Sequence, residues 1–261
     1  MDRNVTRRRL LYAGLALPLF GGCGGGAGTV PAGGGTDATN TARGTLALTM
    51  NFQASRAAGT PARTRDFNGF IPIGTRAVLV QVLDPNSGAE IAPSQLVAAP
   101  LSRAGLAPTV VSVQFASVRQ GPVRVKATAY PDVAGKTNPV AVGTAAGQIA
   151  AGATTNLSVK FSLTLAKLSV TPVNIAVSDI AAQQNNSATV TAVVVDSANR
   201  ALQMPIYWLS RDPGIAQVSF DTSNPNVAAI IGVAFGTTVV TVVEPNSGMT
   251  ATVSVDSGNP G

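Results

Sequence analysis

Short runs of alternating apolar and polar residues recur along most of the chain and constrain its fold more than any other feature. In the first run Leu46, Leu48, Met50 and Phe52 alternate with less apolar residues, as expected for a strand that buries one face. Alternation recurs at 111–115, 123–129 and 157–163, and 77–83 is an almost continuous apolar run typical of a central strand. Further predicted strands follow at 188–195, 205–208, 215–218, 227–231, 237–243 and 249–255. Turn residues separate the runs, and no window carries a capped helical stripe, so the sequence predicts an all-β fold made of β-sandwiches.

The residue content excludes several kinds of enzyme and metal site. The 261 residues include no His and one Cys, so neither a Ser-His-Asp nor a Cys-His arrangement can form within one chain. A His-ligated zinc site and an internal disulfide are excluded for the same reason. Paired carboxylates remain as candidates for glycoside hydrolysis, but the acidic residues lie almost entirely in apparent turns: Asp84, Asp132, Asp196, Asp212, Asp221 and Glu244. We therefore expect no enzyme activity, no metal and no cofactor.

Residues 1–22 have the pattern of an export signal rather than of a folded segment. Several Arg residues precede a short apolar stretch from Leu10 to Phe20. About a dozen apolar residues are too few to cross a hydrocarbon core, which takes about 20, so a signal peptide is predicted. Arg7 and Arg8, just ahead of the apolar stretch, resemble a twin-arginine export signal. A Sec-type signal with a basic start is the alternative.

The single Cys stands directly after this stretch, in Gly21-Gly22-Cys23. These residues resemble a bacterial lipobox, and the resemblance implies that acyl chains of the palmitate type are attached to Cys23 after cleavage. The expected location is then the bacterial cell envelope, with the membrane as a partner through the lipid anchor. Gly24 follows the Cys, which favours the outer membrane or cell surface over the inner membrane. An ordinary secretory signal with an incidental Cys is the alternative.

Composition divides the rest of the chain into a linker and two folded units. Residues 23–43 contain the predicted lipidated Cys and a Gly-rich stretch, and such a composition forms a flexible tether. Two predicted β-sandwich domains follow at 44–166 and 167–256, with a tail at 257–261. Without residues 1–22 the net charge falls from +6 to +3, because four Arg and one Asp are lost. That balance gives no support for a nucleic-acid partner.

One turn sequence occurs in both units. Asp84-Pro85-Asn86-Ser87-Gly88 and 244–248, which reads Glu-Pro-Asn-Ser-Gly, each lie between predicted strands. Pro presets the backbone at the second turn position, Asn bonds nearby backbone, and Gly adopts positive φ. A calcium loop is the alternative, but it requires several carboxylates in one loop, whereas each copy has one. Turn formation is the favoured interpretation.

The second unit carries a set of residues typical of one family. The set comprises Trp208-Leu209-Ser210-Arg211-Asp212-Pro213-Gly214-Ile215-Ala216-Gln217-Val218, the Gly-Thr turn in 232–238, and an acidic turn at 196–200. Over about 90 residues it resembles the bacterial Ig-like domain, group 2, of the invasin and intimin type. The first unit resembles an Ig-like or transthyretin-like module through 121–130. The resemblance implies two tandem Ig-like β-sandwich domains.

Five residues of the second unit have predicted structural positions or roles. Trp208 is large enough to fill the centre of a sandwich, and strand alternation points Tyr207 to the opposite side. Ser210 and Asp212 are expected to form hydrogen bonds with turn backbone. Gly236 is expected to hold a backbone conformation that a Cβ would strain.

The best sequence candidate for a partner contact is a basic loop in the first unit. Arg56, Arg63, Arg65 and Arg76 surround it, and Tyr130 is a candidate exposed aromatic residue. Such a loop can contact anionic headgroups or wall polymer, although a solvated loop explains the same residues. The sequence therefore predicts a non-catalytic, lipid-anchored surface protein with a structural or adhesive role and a protein partner. A module that binds polysaccharide or peptidoglycan is the alternative.

Overall fold

The computed structural model describes residues 42–52, 70–99, 109–177, 186–221 and 223–258, and these ranges contain only strands, turns and irregular segments. The strands of the first half are β1 (Arg43–Phe52), β2 (Ala77–Leu83), β3 (Glu90–Ala98), β4 (Thr109–Arg119), β5 (Gly121–Tyr130), β6 (Ala141–Ile149), β7 (Thr154–Ser158) and β8 (Lys160–Leu163). Those of the second half are β9 (Leu165–Thr171), β10 (Asn174–Val177), β11 (Ser187–Asp196), β12 (Tyr207–Ser210), β13 (Ala216–Phe220), β14 (Val227–Gly232), β15 (Gly236–Val243) and β16 (Thr250–Ser257). The prediction of an all-β fold is confirmed. In the described ranges, no helix is long and apolar enough to cross a membrane.

Strands β1 to β8 form the two sheets of a first sandwich. One sheet has the order β4-β1-β7, and the other has the order β3-β2-β5-β6-β8. The predicted alternation on β1 is confirmed, since Leu46, Leu48 and Met50 are fully buried. The inward faces of β2 and β5 contribute Val and Ala side chains to the same apolar core.

Strands β9 to β16 form a second sandwich with sheets β13-β14-β11-β9 and β10-β16-β15-β12. The chain changes sheets between β9, which pairs antiparallel with β11, and β10, which pairs parallel with β16. Trp208 is 6% exposed and belongs to the core. Its indole Nε1 donates a hydrogen bond to the carbonyl oxygen of Pro225 at 2.8 Å, so the predicted core position is confirmed. The fold is therefore two tandem Ig-like β-sandwiches.

Two strands of the first sandwich, β3 and β6, have no counterpart among the strands predicted from the sequence. The prediction of a single strand at 157–163 is wrong. The run at 157–163 is not one strand, because the chain changes sheets at Val159: β7 pairs with β1 and β8 pairs with β6. Strand β6 carries few large apolar residues because its neighbours occupy that space. A Cβ at Gly143 would lie 2.6 Å from Val159 Cγ1, and one at Gly147 would lie 2.8 Å from Leu157 Cδ2. Close packing therefore removes the alternating signal that sequence reading depends on.

The two sandwiches share a junction made by hydrogen bonds and close contact. Asn246 Oδ1 accepts a hydrogen bond from Ile73 N–H at 2.7 Å, and its Nδ2 donates to Ile73 O at 3.3 Å. Asn138 Nδ2 donates to Ala201 O at 2.9 Å. The buried apolar residues of both sandwiches form one continuous cluster. The predicted domain ranges, 44–166 and 167–256, stay predictions, while the strands change from one sandwich to the other between Leu163 and Leu165.

Candidate functional site

An open groove of about 610 Å³ lies on the second sandwich, along the sheet β10-β16-β15-β12. Its exposed lining comes from alternate residues of three neighbouring strands, which point away from the core. Polar and charged residues predominate in that lining: Asn174, Arg211, Asp212, Thr237, Ser254 and Asp256. We call this surface, with the half-buried Val239, the distal groove.

Strand register brings the groove residues together. Thr237 on β15 is paired with Asp256 on β16, and Val239 is paired with Ser254. Asn174 on β10 is paired with the same Ser254 from the other side. The groove therefore combines positions that are up to about 80 residues apart in the sequence, and only the completed sheet creates it.

The turn after β12 closes one side of the distal groove. Arg211 N–H donates to Val239 O at 2.9 Å and holds the turn against β15. Asp212 Oδ1 accepts from Gly214 N–H at 3.0 Å, so the prediction that Asp212 bonds turn backbone is confirmed. The same prediction for Ser210 is wrong, because its hydroxyl is buried without a hydrogen-bond partner among the described residues. Ser210 lies on the same inward side of β12 as Trp208 and cannot serve the turn.

Two further residues distinguish this end of the sandwich. Thr238, the next residue after Thr237, faces the core, is 8% exposed, and has no hydrogen-bond partner for its hydroxyl within the described part of the chain. Phe235 is 61% exposed and stands two residues before Thr237. Gly236, which lies between Phe235 and Thr237, has a φ of +145°, and a Cβ there would lie 3.0 Å from Ile215 Cδ1. The prediction for Gly236 is confirmed.

The acidic turn residues act through hydrogen bonds to their own loops. Asp132 accepts from the Thr137 hydroxyl at 2.5 Å and from Thr137 N–H at 3.0 Å, which holds the pKa of its carboxyl far below 3.8. Backbone donation by Ser87 lowers the pKa of Asp84, and backbone donation by Arg200 lowers that of Asp196. The interpretation of these carboxylates as turn formers is confirmed. Within the described ranges, no group of three or more His, Cys, Asp or Glu side chains could hold a metal ion.

The residues proposed from the sequence for a partner contact are only partly described. Arg56, Arg63 and Arg65 lie outside the described residues, as do Cys23, Arg7 and Arg8 of the predicted signal and anchor. Arg76 is exposed and Tyr130 is half-buried, and Arg76 N–H donates to Tyr130 O at 2.8 Å. The structure therefore brings these two residues side by side at one end of β2 and β5, and their contact with a partner stays a prediction.

Sequence reasoning did not identify the distal groove. It assigned Asp212 to a turn and Phe235 to the approach to a strand, and it gave Asn174, Ser254 and Asp256 no role. Phe235 alone gave no usable signal, since single exposed apolar residues are common on protein surfaces. The rest of the groove depends on cross-strand pairing, which one sequence does not specify.

Comparison with known proteins gives matches among solved structures alone. No protein-family model matches the chain, and no curated protein sequence matches it. Domains 4 and 5 of the S-layer protein SbsC align over 55% of this chain and 68% of that one, with 16% identity and a TM-score of 0.32. A structure of SbsC domains 1–6 aligns over 78% of this chain and 21% of that one, with 18% identity and a TM-score of 0.34. Invasin, a bacterial integrin-binding protein, aligns over 82% of this chain and 39% of that one, with 12% identity and a TM-score of 0.27.

Proposed function

We propose that this protein is a non-catalytic structural and adhesive module of the bacterial cell envelope, in which two sandwiches act as one rigid body. The observation that carries the proposal is the junction. Domains joined in one chain move relative to each other by default unless their interface is extensive and apolar. Here directed hydrogen bonds, the close contact of Gly74 with the Pro205 ring and a continuous core all act against that motion.

The junction uses main-chain groups, which adds to its rigidity. The Asn246 amide pairs with both backbone groups of Ile73. Next to it, a Cβ at Gly74 would lie 2.9 Å from Pro205 Cδ, so the backbone of the first sandwich at Gly74 lies directly against the Pro205 ring of the second. Movement between the sandwiches would break buried hydrogen bonds and open a closely packed contact, both of which are unfavourable.

The course of the chain suits a spacer. Strand β1 begins beside the 150–153 turn, where Gly152 N–H donates to Arg43 O, and ends at Phe52, where Ile71 N–H donates to Asn51 O near the junction. In the second sandwich β16 leaves the junction turn and ends at Ser257, which is paired with Gly236. The chain therefore enters at one end of the pair of sandwiches and reaches the opposite end. A tether attached before β1 would present the second sandwich farthest from its anchor.

The anchor itself is proposed from the sequence. Acyl chains on Cys23 and the Gly-rich linker that follows would hold the protein on a membrane, at the outer membrane or cell surface. More than one acyl chain gives stable attachment, whereas a single chain is marginal. Partners of the anchored protein would be other envelope proteins or wall polymer, met by the exposed surfaces of the sandwiches.

The anchor is tested by fractionation of cells that express the full chain or its Cys23→Ala variant. We expect the parent protein in the membrane fraction and the variant in the soluble fraction or retained as precursor. Protease added to whole cells then reports which proteins are exposed at the surface. If both proteins are soluble and equally processed, Cys23 is not an anchor and the envelope-anchored proposal is wrong.

The rigid junction is tested separately by a distance measurement. Spin labels on Asn86→Cys and Ser219→Cys, in a Cys23→Ala full chain, report the separation of the two sandwiches by double electron–electron resonance. Both positions are exposed. We expect one narrow distance distribution, which Asn246→Ala broadens. A broad distribution in the parent chain contradicts the rigid-spacer proposal.

A further inference from the structure

We propose that the distal groove binds a glycan strand of low net charge. The proposal goes beyond the structural role of the sandwiches and does not depend on the lipid anchor. It rests on the balance of donors and acceptors in the groove, on its charge, and on the exposed aromatic residue that precedes β15. None of the residues concerned belongs to the junction or to the basic loop predicted from the sequence.

The first argument is the chemistry of the lining. Thr237, Ser254 and Asn174 each offer both hydrogen-bond donors and acceptors, whereas Arg211 only donates and an ionised Asp256 only accepts. A sugar hydroxyl also donates and accepts, so a glycan can satisfy every one of these groups. A ligand with one kind of group, such as a phosphate, would satisfy the donors and leave the acceptors unpaired.

The second argument concerns charge. Arg211 is accompanied by two carboxylates, Asp212 and Asp256, in the same groove. This arrangement opposes a strongly anionic polymer, since carboxylates repel it. It equally lacks the concentration of acidic side chains that a polycation would require. A neutral or weakly charged polyhydroxylated chain is the ligand class that meets no such penalty.

The third argument is the exposed aromatic residue that precedes the groove strand β15. Phe235 is 61% exposed and precedes β15, the strand that supplies Thr237 to the groove. Binding sites for small molecules commonly join apolar or aromatic surface to a few convergent polar groups, and the apolar face of a sugar ring fits such a surface. Thr238, the next residue of β15, faces the core and takes no part in this surface.

The experiment titrates the purified full chain, as its Cys23→Ala variant, with three soluble probes: chitohexaose, cellohexaose and mannohexaose. Binding is followed by calorimetry and by chemical-shift changes in isotope-labelled protein. We expect at least one probe to bind saturably, with a Kd of about 1 mM or tighter, and the shifted signals to come from groove residues. No saturable binding of any probe overturns the proposal.

Variants separate the groove from the rest of the surface. Phe235→Ser and Arg211→Gln should each weaken binding about tenfold or more, while both proteins keep the circular dichroism spectrum of the parent. Phe220→Ser and Arg124→Gln are the matched controls, because they change exposed residues of the same types outside the groove and should bind as the parent does. Equal loss in the controls, or unchanged binding in the groove variants, overturns the assignment.

Isolated peptidoglycan sacculi provide a competition test. If sacculi capture the protein but none of the three oligosaccharides binds or competes, recognition depends on a component of the sacculus that the probes lack, and the proposal of a glycan ligand of low net charge is wrong. If an oligosaccharide competes with sacculi, the proposal is supported. Either result leaves the fractionation and spin-label tests unaffected, so failure here is distinguishable from failure of the structural role.

Discussion

The side-chain amide of Asn246 pairs with both main-chain polar groups of Ile73, 173 residues away in the sequence. Asn246 is 4% exposed, and Glu244, which is fully buried, holds it in place. Glu244 Oε1 accepts from Asn246 Nδ2 at 2.7 Å, and Oε2 accepts from the N–H and hydroxyl of Ser247, both at 2.7 Å. A turn in the second sandwich is thus shaped to present one amide to the backbone of the first.

The first sandwich contains nearly the same turn, but its Asn is not buried at the junction. At 84–88 the backbone bonds match, with Gly88 N–H donating to Asp84 O as Gly248 N–H donates to Glu244 O. Asn86, which corresponds to Asn246, is exposed. Substitution of the Asn in each copy therefore distinguishes a contribution to the turn itself from a contribution to the junction between the sandwiches.

The first prediction follows from this comparison. Asn246→Ala leaves a buried N–H and a buried carbonyl of Ile73 without their partner, which costs about 1–3 kcal/mol of unfolding free energy. Asn86→Ala changes an exposed side chain and should stay within about 0.5 kcal/mol of the parent. Chemical unfolding of the full chain measures both. Equal effects of the two substitutions contradict the role of Asn246 at the junction.

The second prediction concerns the core of the second sandwich. Trp208→Ala removes a large buried side chain and should lower the unfolding free energy by about 3–5 kcal/mol. Tyr207→Ala, on the opposite side of the same strand and half-buried, should cost less. Thermal unfolding followed by circular dichroism compares them. A melting temperature unchanged by Trp208→Ala would exclude this residue from the core.

The sequence was sufficient for features that depend on local pattern. Alternation located β1 and β5, apolar runs located β2 and most strands of the second sandwich, and residue size assigned Trp208 to the core. The apolar pattern did not predict strands in which close packing restricts the side chains to small ones. Strand β6 is built from small residues because the chain from Leu157 to Phe161 occupies its inner surface. The two nearly identical turns also differ in burial: Asn86 is exposed, whereas Asn246 is buried because it contacts residues of the other sandwich.

The third prediction tests that account of β6. Gly143→Ala adds a Cβ that would lie 2.6 Å from Val159 Cγ1 and 2.8 Å from Lys160 O. Because one of these neighbours is backbone and the site is buried, the strand must shift, and overpacking of this kind costs about 1–3 kcal/mol. Thr144→Ala, at the next, exposed position of β6, is the control and should have a smaller effect. The melting temperatures of the two variants measure this difference. If the Gly143→Ala protein is as stable as the Thr144→Ala control, the packing argument is wrong.

The fourth prediction is acid sensitivity that originates in the loop after β5. Thr137 donates to Asp132 through both its hydroxyl and its N–H, and Lys136 and Ala134 add backbone donors, so the pKa of Asp132 lies far below 3.8 in the folded protein. A carboxyl whose pKa is lower in the folded state stabilises the fold above its unfolded pKa of about 4, and this stabilisation is lost as the pH falls below that value. The parent protein should therefore lose stability on acidification below about pH 4.

Removal of one donor tests the origin of this effect. Thr137→Val eliminates the hydroxyl that donates to Asp132 at 2.5 Å, so it should lower the melting temperature at neutral pH and have progressively less effect as the pH falls. Thr144→Val, an exposed threonine on β6, is the matched control and should follow the parent at every pH. Melting curves recorded from neutral pH down to about pH 2.5 cover the window in which an Asp carboxyl titrates. If the difference between Thr137→Val and the parent stays constant across that window, the hydrogen bond does not act through the ionised form of Asp132, because a bond specific to the carboxylate must disappear when the carboxylate is protonated.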